Sequence, residues 1–461
     1  MRWEALRSVS GVVALGLLLQ GQPAKSDIPI DITSTDSLKS AGKTIAAPMM
    51  DFYAQNQTEG IPGKLTDTWY IAGAMFMTLI QYWHSSGDGQ YNDIVSHDLM
   101  FQAGDNFDYF DSNYSQWLGN DDQMFWGLAA ITASETGFPE IAGKPTWTSL
   151  ARAVFNMQIN RWDTSSCNGG INWQIHLWQE GNTLRNAISN GGLFQLAARL
   201  GHFTKNETYF KSAEQIWDWS VDSPLIQPGQ DWLVADSTSG DNNCADSDHM
   251  QWTYNYGSYL AGTAFMYNST GEEKWLNATT GLLARLEKQF FPTDYGGNVI
   301  SEVSCEKLHT CNRNMLCFKG WTTMWMAYTA ILVPQTRDSI LPKLQGSAEA
   351  IGRQCDGDGS ENLCGLRWYQ DTFDGIRGLE VQMAALGGIT SNLMLMTGTT
   401  TLTIDTNPNA EEHHLETSSD EDIGPDALPV IKIGDRVGAW ILTGGWSLGI
   451  AAAAWWLIKQ D

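Results

Sequence analysis

The sequence predicts an all-α fold, an (α/α)6 barrel of about twelve helices, on three observations. Helical patterns follow one another between about Ile28 and Thr397 with no internal linker. Strongly apolar helices alternate with helices that carry one charged face, which implies an inner and an outer ring. Strand signals are short and weak, and the longest connections are rich in Asn, Asp, Gly and Trp. In such a barrel the functional site lies on loops at one end of the inner helices.

The elements follow in order, each with apolar residues at three- and four-residue steps. Residues 38–54, 69–84, 91–102 and 121–136 give the first four patterns. Residues 69–79 are apolar almost throughout, with Ala72, Gly73 and Ala74 as small residues for close packing. Residues 146–161, 185–200, 207–219 and 250–267 come next. The second of these places Leu193, Leu196, Ala197 and Leu200 on one face and stops at Gly201. Residues 207–219 show a charged face. Residues 274–290, 318–332, 338–353 and 379–396 complete the series, and Pro334 closes the second of them. The loops at 104–120, 167–182 and 231–248 are the candidate site loops.

Composition narrows the function. The chain has 461 residues, 52 Asp+Glu against 27 Lys+Arg, and a net charge of −25. So acidic a chain has no electrostatic reason to seek nucleic acid or anionic lipid. Its 43% apolar share excludes a disordered chain. Only 17% of residues are charged, yet there are 21 Trp and 45 Gly. That balance suits a neutral, polar ligand such as a sugar.

Both ends read as signals. Arg2 and Arg7 precede an apolar run at 9–19, and Ala24 stands near a small-residue exit, so 1–25 is expected to be a signal peptide. The barrel is expected at 28–400, a polar spacer at 401–436 and a hydrophobic tail at 437–461. Residues 437–458 are uncharged and long enough to span a bilayer, but no basic stop-transfer cluster follows. Small residues, a spacer and a terminal apolar tail make a GPI-anchor signal, with Ser418, Ser419 or Gly424 as attachment candidates. The expected location is the secretory route, ending at the outer face of the plasma membrane or in the cell wall. Sequons at Asn56, Asn113, Asn206, Asn268 and Asn277 agree with an exported chain. Seven cysteines without a C-x-x-C pair point to disulfides. Spacing suggests Cys305–Cys311 and Cys355–Cys364, with Cys167–Cys244 over a longer range and Cys317 as a free thiol at a helix start.

Three constellations could carry chemistry. The first is Gly119-Asn120-Asp121-Asp122-Gln123, where a polar loop becomes an apolar helix. One Asn or Asp suffices to cap a helix, and Asn120 could do so, which leaves a surplus acid. Paired carboxylates perform glycoside hydrolysis, one ionised and one protonated. A helix N-terminus favours the ionised group, and a like charge raises its neighbour's pKa. The second runs from Asp246 and Asp248 through Trp252, Tyr254 and Asn255, aromatic faces beside hydroxyl-binding groups. The third joins Asn168-Gly169-Gly170-Ile171-Asn172-Trp173 to Asn186-Ala187-Ile188-Ser189-Asn190-Gly191, where glycines serve a ligand approach or tight turns. Asn106, Asn120, Trp173, Asn190, Asp246, Asp248, Trp252, Tyr254 and Asn255 are the candidate substrate contacts. Gly445-Trp446-Ser447-Leu448-Gly449 matches a nucleophile elbow but lies in the apolar tail. Asp356-Gly357-Asp358-Gly359 is better read as a disulfide loop than a calcium loop. With no H-E-x-x-H, Walker or dinucleotide motif, no metal or cofactor is expected.

At these residues the chain resembles glycoside hydrolase family 76, and more narrowly its fungal GPI-anchored cell-wall branch. The matching blocks are 119–123 with Phe125-Trp126, 167–171, 186–191, 248–257 and Phe318-Lys319-Gly320. The stretch 311–317 departs from the family pattern, Cys317 included. The resemblance implies the same barrel and a retaining mannan endo-1,6-α-mannosidase, with Asp121 as nucleophile and Asp122 as general acid/base. It also implies an alternative, a transglycosylase that moves GPI-anchored glycoproteins onto cell-wall glucan with the same two acids. A non-catalytic glycan-binding wall protein is the third reading. The expected partners are a mannan or GPI glycan, a glucan acceptor and the membrane through the anchor.

Overall fold

The computed structural model describes residues 28–110, 116–355, 362–398 and 401–407. The leader, Asn113, the 356–359 run, the attachment candidates Ser418, Ser419 and Gly424, and the apolar tail lie outside the described residues. Among the described residues twelve α-helices run in sequence: α1 Thr35–Asn56, α2 Trp69–Ser86, α3 Asn92–Gln102, α4 Asn120–Thr136, α5 Trp147–Ile159, α6 Ala187–Thr204, α7 Glu207–Asp222, α8 Thr253–Thr270, α9 Glu273–Phe290, α10 Phe318–Leu332, α11 Arg337–Gln354 and α12 Leu379–Thr397.

The even-numbered helices form the inner ring. Each packs on the next, and α12 returns to α2, so the ring closes. The odd-numbered helices wrap it: α1 against α12, α5 against α4, α7 against α6, α9 against α8. This is the (α/α)6 barrel. The split follows from side-chain chemistry. Inner helices such as α6 and α12 are buried along almost their whole length, whereas α7 and α9 bury one apolar face. Small residues set the spacing of the ring. A Cβ on Gly320 would stand 2.4 Å from the Ala384 Cα, and one on Gly387 would stand 2.7 Å from the Gly320 carbonyl, so α10 and α12 touch backbone to backbone.

Two local expectations shift. The α6 helix does not stop at Gly201 but runs to Thr204, where Lys205 takes the left-handed cap at φ 58°. Gly201 is small because the Phe210 ring lies 2.7 Å from where its Cβ would be. At the other end Arg185 and Asn186 belong to a short strand, β1 Leu184–Asn186. It pairs with β4 Ser237–Ser239, which pairs with β5 Ser247–Asp248, all antiparallel; β2 Ile226–Gln227 and β3 Leu233–Val234 form a second ribbon. These strands stiffen the loops before α6 and α8.

The N-termini of the inner helices gather at the end that carries the long loops. The C-termini gather at the other end, where Arg199 on α6 meets Glu135 on α4 at 2.6 Å, both fully buried. That end is closed by 401–407, whose Leu402 and Ile404 amides bond the Glu135 and Phe203 carbonyls at 2.7 and 2.8 Å. The barrel therefore extends past the expected boundary at 400, because these residues complete its floor rather than enter the spacer. Three disulfides join Cys167 to Cys244, Cys305 to Cys311 and Cys355 to Cys364. Cys317 is a buried free thiol at the start of α10.

Candidate active site

The acid pair sits at the first turn of α4, at the open end of the barrel. Residues 117–119 run antiparallel to 174–176, with Gly119 bridged to Gln174. The Asn120 amide donates to the Trp173 carbonyl at 2.8 Å. Gly119 has to be small: an added Cβ would stand 2.3 Å from the Asp121 carboxylate and 3.2 Å from the Trp173 indole nitrogen.

Asn120 does not cap α4. It is buried, its side-chain amide donates to the Asn172 carbonyl at 2.8 Å, and its side-chain oxygen accepts from Arg161 at 2.8 Å. Arg161 also donates to Gln123 at 2.7 Å and lies over the Phe110 ring. The helix end is closed instead by Asp122, whose Oδ2 accepts the Gly119 amide at 2.7 Å. Asp121 accepts the Asp122 amide at 3.1 Å and the Asn186 side-chain amide at 3.3 Å.

Burial pushes both carboxyl groups up. Asp121 rises well above the usual carboxylate range because it is desolvated at the base of the loops and Asp122 lies beside it. Asp122 rises to about 6, with the Gly119 amide holding it down. The two groups lie side by side and titrate as a unit.

Two tyrosines belong to the same space. Burial raises the phenols of Tyr70 and Tyr254 well above their usual pKa, and the nearby Asp121 carboxylate adds to both. Tyr70 opens α2 and donates to Asn314 at 2.9 Å. Tyr254 opens α8 and stacks on Phe318, with ring centroids 3.8 Å apart. Trp252 meets Phe318 edge to face. Near them lies Glu302, buried and pushed up to about 8 by desolvation. Its carboxyl caps α8 by accepting the Thr253 amide at 3.2 Å. Lys319 and Glu306 pair at 2.8 Å and are likewise fully buried.

The structure sorts the other candidates. Trp173 is half-buried beside Gly119, at the edge of the acid pair. Asn190 is a correction: it is wholly buried, and both ends of its amide bond Ile171 of the neighbouring loop. Asn120 is corrected likewise, since both ends of its side-chain amide are spent on the protein. Asn255 is buried and donates to Asp236 at 2.9 Å. Asp246 and Asp248 are exposed and serve local turns, Asp248 accepting the Met250 amide at 2.9 Å. Asn106 is exposed in the turn after α3. Of the sequons, Asn206 caps α7, Asn56 ends α1, and Asn268 and Asn277 are exposed.

Four further positions carry no signal of their own in the sequence or only an indirect one. Asn186 contacts Asp121 from the start of α6 and stands in a block singled out for its glycines. Asp236, pushed up to about 6 by burial, faces Asn255 from the loop before β4. Tyr70 is hidden in an apolar helix, and Glu302 lies in a loop without a pattern.

The family model of glycosyl hydrolase family 76 matches residues 37–404. The mannan endo-1,6-alpha-mannosidase DCW1 of Saccharomyces cerevisiae is 37% identical over 461 residues, 98% of this chain and 99% of that one. The protein of the same name from Candida albicans is 36% identical over 442 residues, 93% and 95% of the two chains. Among solved structures, Dfg5 from Chaetomium thermophilum in complex with glucosamine superposes with a TM-score of 0.77 at 36% identity, covering 82% of this chain and 97% of that one. An inactive variant of the alpha-1,6-mannanase of a Salegentibacter species binds alpha-1,6-mannotriose, and carries asparagines in place of two consecutive aspartates. It superposes with a TM-score of 0.62 at 17% identity, covering 78% of this chain and 99% of that one, which shows the shared fold. The chain belongs to glycosyl hydrolase family 76 and is a glycoside hydrolase.

Proposed function

We propose that the protein cleaves α-1,6-mannosidic bonds of cell-wall or GPI glycans with retention of configuration. The observation that carries this is the Asp121–Asp122 pair at the open end of the barrel, two adjacent carboxyl groups both held above the usual carboxylate range. In the first step a carboxylate of Asp121 attacks C1 of the mannose, and the C1–O bond to the leaving sugar breaks. Asp122 gives its proton to that oxygen. In the second step Asp122 takes a proton from water, the water oxygen attacks C1, and the ester to Asp121 opens. The relatives named mannan endo-1,6-alpha-mannosidase support the substrate, and the mannotriose-bound neighbour with its aspartate doublet supports the pair.

The exchanged roles, with Asp122 attacking and Asp121 as the acid, use the same two carboxyl groups. A fluorinated mannoside that traps the ester, followed by peptide mass analysis, decides between them. An adduct on Asp121 supports the first assignment, and one on Asp122 reverses it. No adduct on either residue overturns the mechanism.

An acceptor hydroxyl in place of water in the second step would make the protein a transglycosylase onto wall glucan. Product analysis with and without a β-glucan acceptor separates the two outcomes. The apolar ends of the chain support secretion and GPI anchoring at the outer membrane face, which release by a phosphatidylinositol-specific phospholipase tests.

A further inference from the structure

A cavity of about 350 Å³ opens on the flank of the barrel, and none of its lining residues belongs to the acid pair. It lies between α7, the loop after α5 and the Cys167–Cys244 disulfide. Trp162 and Trp219 form an aromatic corner there, meeting edge to face with centroids 5.6 Å apart. Trp219 is pinned by its indole nitrogen, which donates to the Cys167 carbonyl at 2.9 Å, and by Gly169 and Gly170 against its ring. Trp162 remains half-buried. Asn168, Gln215 and Asp222 complete the wall, and among the described residues their side chains form no hydrogen bond with the protein. No Lys or Arg lines the space.

The backbone here is held in an unusual shape. Cys167, Asn168, Asn243 and Cys244 all take left-handed φ, between 55° and 58°, although none is glycine. The Asn243 side chain locks the two pairs together by accepting the Cys167 amide at 2.6 Å. Strain of this kind persists where the surroundings over-determine it, as they do at ligand sites.

We propose that this cavity is a second saccharide-binding site, taking one neutral hexopyranose unit of a glycan chain. Indole faces stack on the C–H faces of a sugar ring, and free amides and a carboxylate bind its hydroxyls. With a carboxylate and no cation in the wall, phosphate and other anions are disfavoured. The volume lies at the small end of ligand pockets, enough for a single ring. The site is tied to the catalytic end. Arg185 donates to the Gly169 carbonyl at 2.9 Å and to Asp163 at 2.8 Å, and the next residue, Asn186, touches Asp121. A polymeric glycan held on the flank would raise its own concentration at the cleft. This inference rests on the proposed function for its choice of probes.

The test uses the full chain with Asp121→Asn, which binds without turnover. Calorimetric titration with α-1,6-mannotriose and, separately, β-1,3-linked glucotriose reads whether the flank ligand is donor-type or acceptor-type glycan. The expected result is two binding events for one of these sugars, one in the cleft and one on the flank. Adding Trp162→Ala weakens the flank event about tenfold or more, the loss of an aromatic anchor. Because Trp162→Ala also loosens the packing at Gly169, a Gln215→Ala/Asp222→Ala pair provides the second variant and gives the same loss at unchanged Tm. A single event untouched by either variant, for both sugars, overturns the site. Loss of mannan hydrolysis in the wild-type chain with the flank event intact would instead overturn the proposed function.

Discussion

Asn186, the N-cap of α6, reaches across to the first turn of α4 and places its side-chain amide 3.3 Å from the Asp121 carboxyl. The same side chain accepts the Ser189 amide at 3.3 Å, so one residue starts a helix and orients an acid. Asn186→Ala removes both interactions. A hydrogen bond to a charged group is worth about 1.5–3 kcal/mol, so kcat/KM is expected to fall roughly tenfold to a hundredfold. The lost cap costs about 1 kcal/mol of stability. Kinetics on α-1,6-mannotriose and a urea midpoint read the two effects separately. Full activity in the alanine variant would remove Asn186 from the site.

The acid pair sets the pH profile. Catalysis requires one carboxylate and one carboxylic acid. Below about 6 the second carboxyl also takes a proton, so kcat/KM falls on the acid side through that region. On the alkaline side the shared proton is lost, at a pH set by the strongly raised Asp121. A bell-shaped profile of kcat/KM with its acid limb near 6 is the expected outcome. An acid limb near the ordinary carboxylate value of about 4 would contradict a desolvated pair of adjacent acids.

The same shift makes a stability prediction. Asp122 has a folded pKa of about 6 against an ordinary value of 3.8 for the unfolded chain. A carboxyl raised on folding stabilises the native state fully below its unfolded pKa, and that contribution is lost as pH rises through the folded one. At pH 7 the charged group therefore penalises folding by up to ~3 kcal/mol, at about 1.36 kcal/mol per unit. Asp122→Asn keeps an acceptor for the Gly119 amide and removes the charge. It is expected to abolish turnover yet raise stability at pH 7, with the gain vanishing near pH 3. Guanidinium denaturation at the two pH values checks the sign, and a variant less stable than wild type at pH 7 would refute it.

Gly119 offers a steric test of the same corner. A Cβ there collides with the Asp121 carboxylate, while the Gly119 φ of −84° is open to any residue. Gly119→Ala should therefore leave Tm within a few degrees and displace the acid. A shift of about 1 Å at a catalytic group costs on the order of a hundredfold in kcat. Unchanged kcat would mean that Asp121 has room to move.

The ring architecture is legible in the sequence because each inner helix is apolar around its circumference and each outer one along a single face. The doublet Asp121-Asp122 stands out because capping needs fewer acids than the sequence supplies. The substrate contacts are less legible. Asn120 and Asn190 look like sugar ligands in the sequence, but an asparagine beside an irregular loop serves equally to satisfy backbone groups, and only the folded partners separate the two uses. Tyr70 is invisible for the opposite reason, since its polar tip is the first-turn exception in a helix that otherwise reads as core. Asp236 and Glu302 act through contacts at 19 and 49 residues' separation, which no local pattern encodes.

The closed end of the barrel provides a last, independent prediction. Arg199 donates to Glu135 through Nε and Nη2 and to Thr132 at 2.7 Å, with both ionic side chains fully buried. A buried pair gains little over a well-packed apolar pair, but a broken one leaves an uncompensated charge. Arg199→Met alone is expected to cost about 3–5 kcal/mol, whereas Arg199→Met with Glu135→Leu should recover most of that loss. Thr132 and the floor residues 401–407 survive both changes, since Leu402 bonds the Glu135 carbonyl and not its side chain. Because the acid pair lies at the opposite end of α4, kcat per folded molecule should be unchanged in the double variant. Chemical denaturation of the single and double variants, read with kcat at saturating substrate, decides it. A double variant as unstable as the single one would mean that the ion pair itself, and not the orphaned charge, holds α4 to α6.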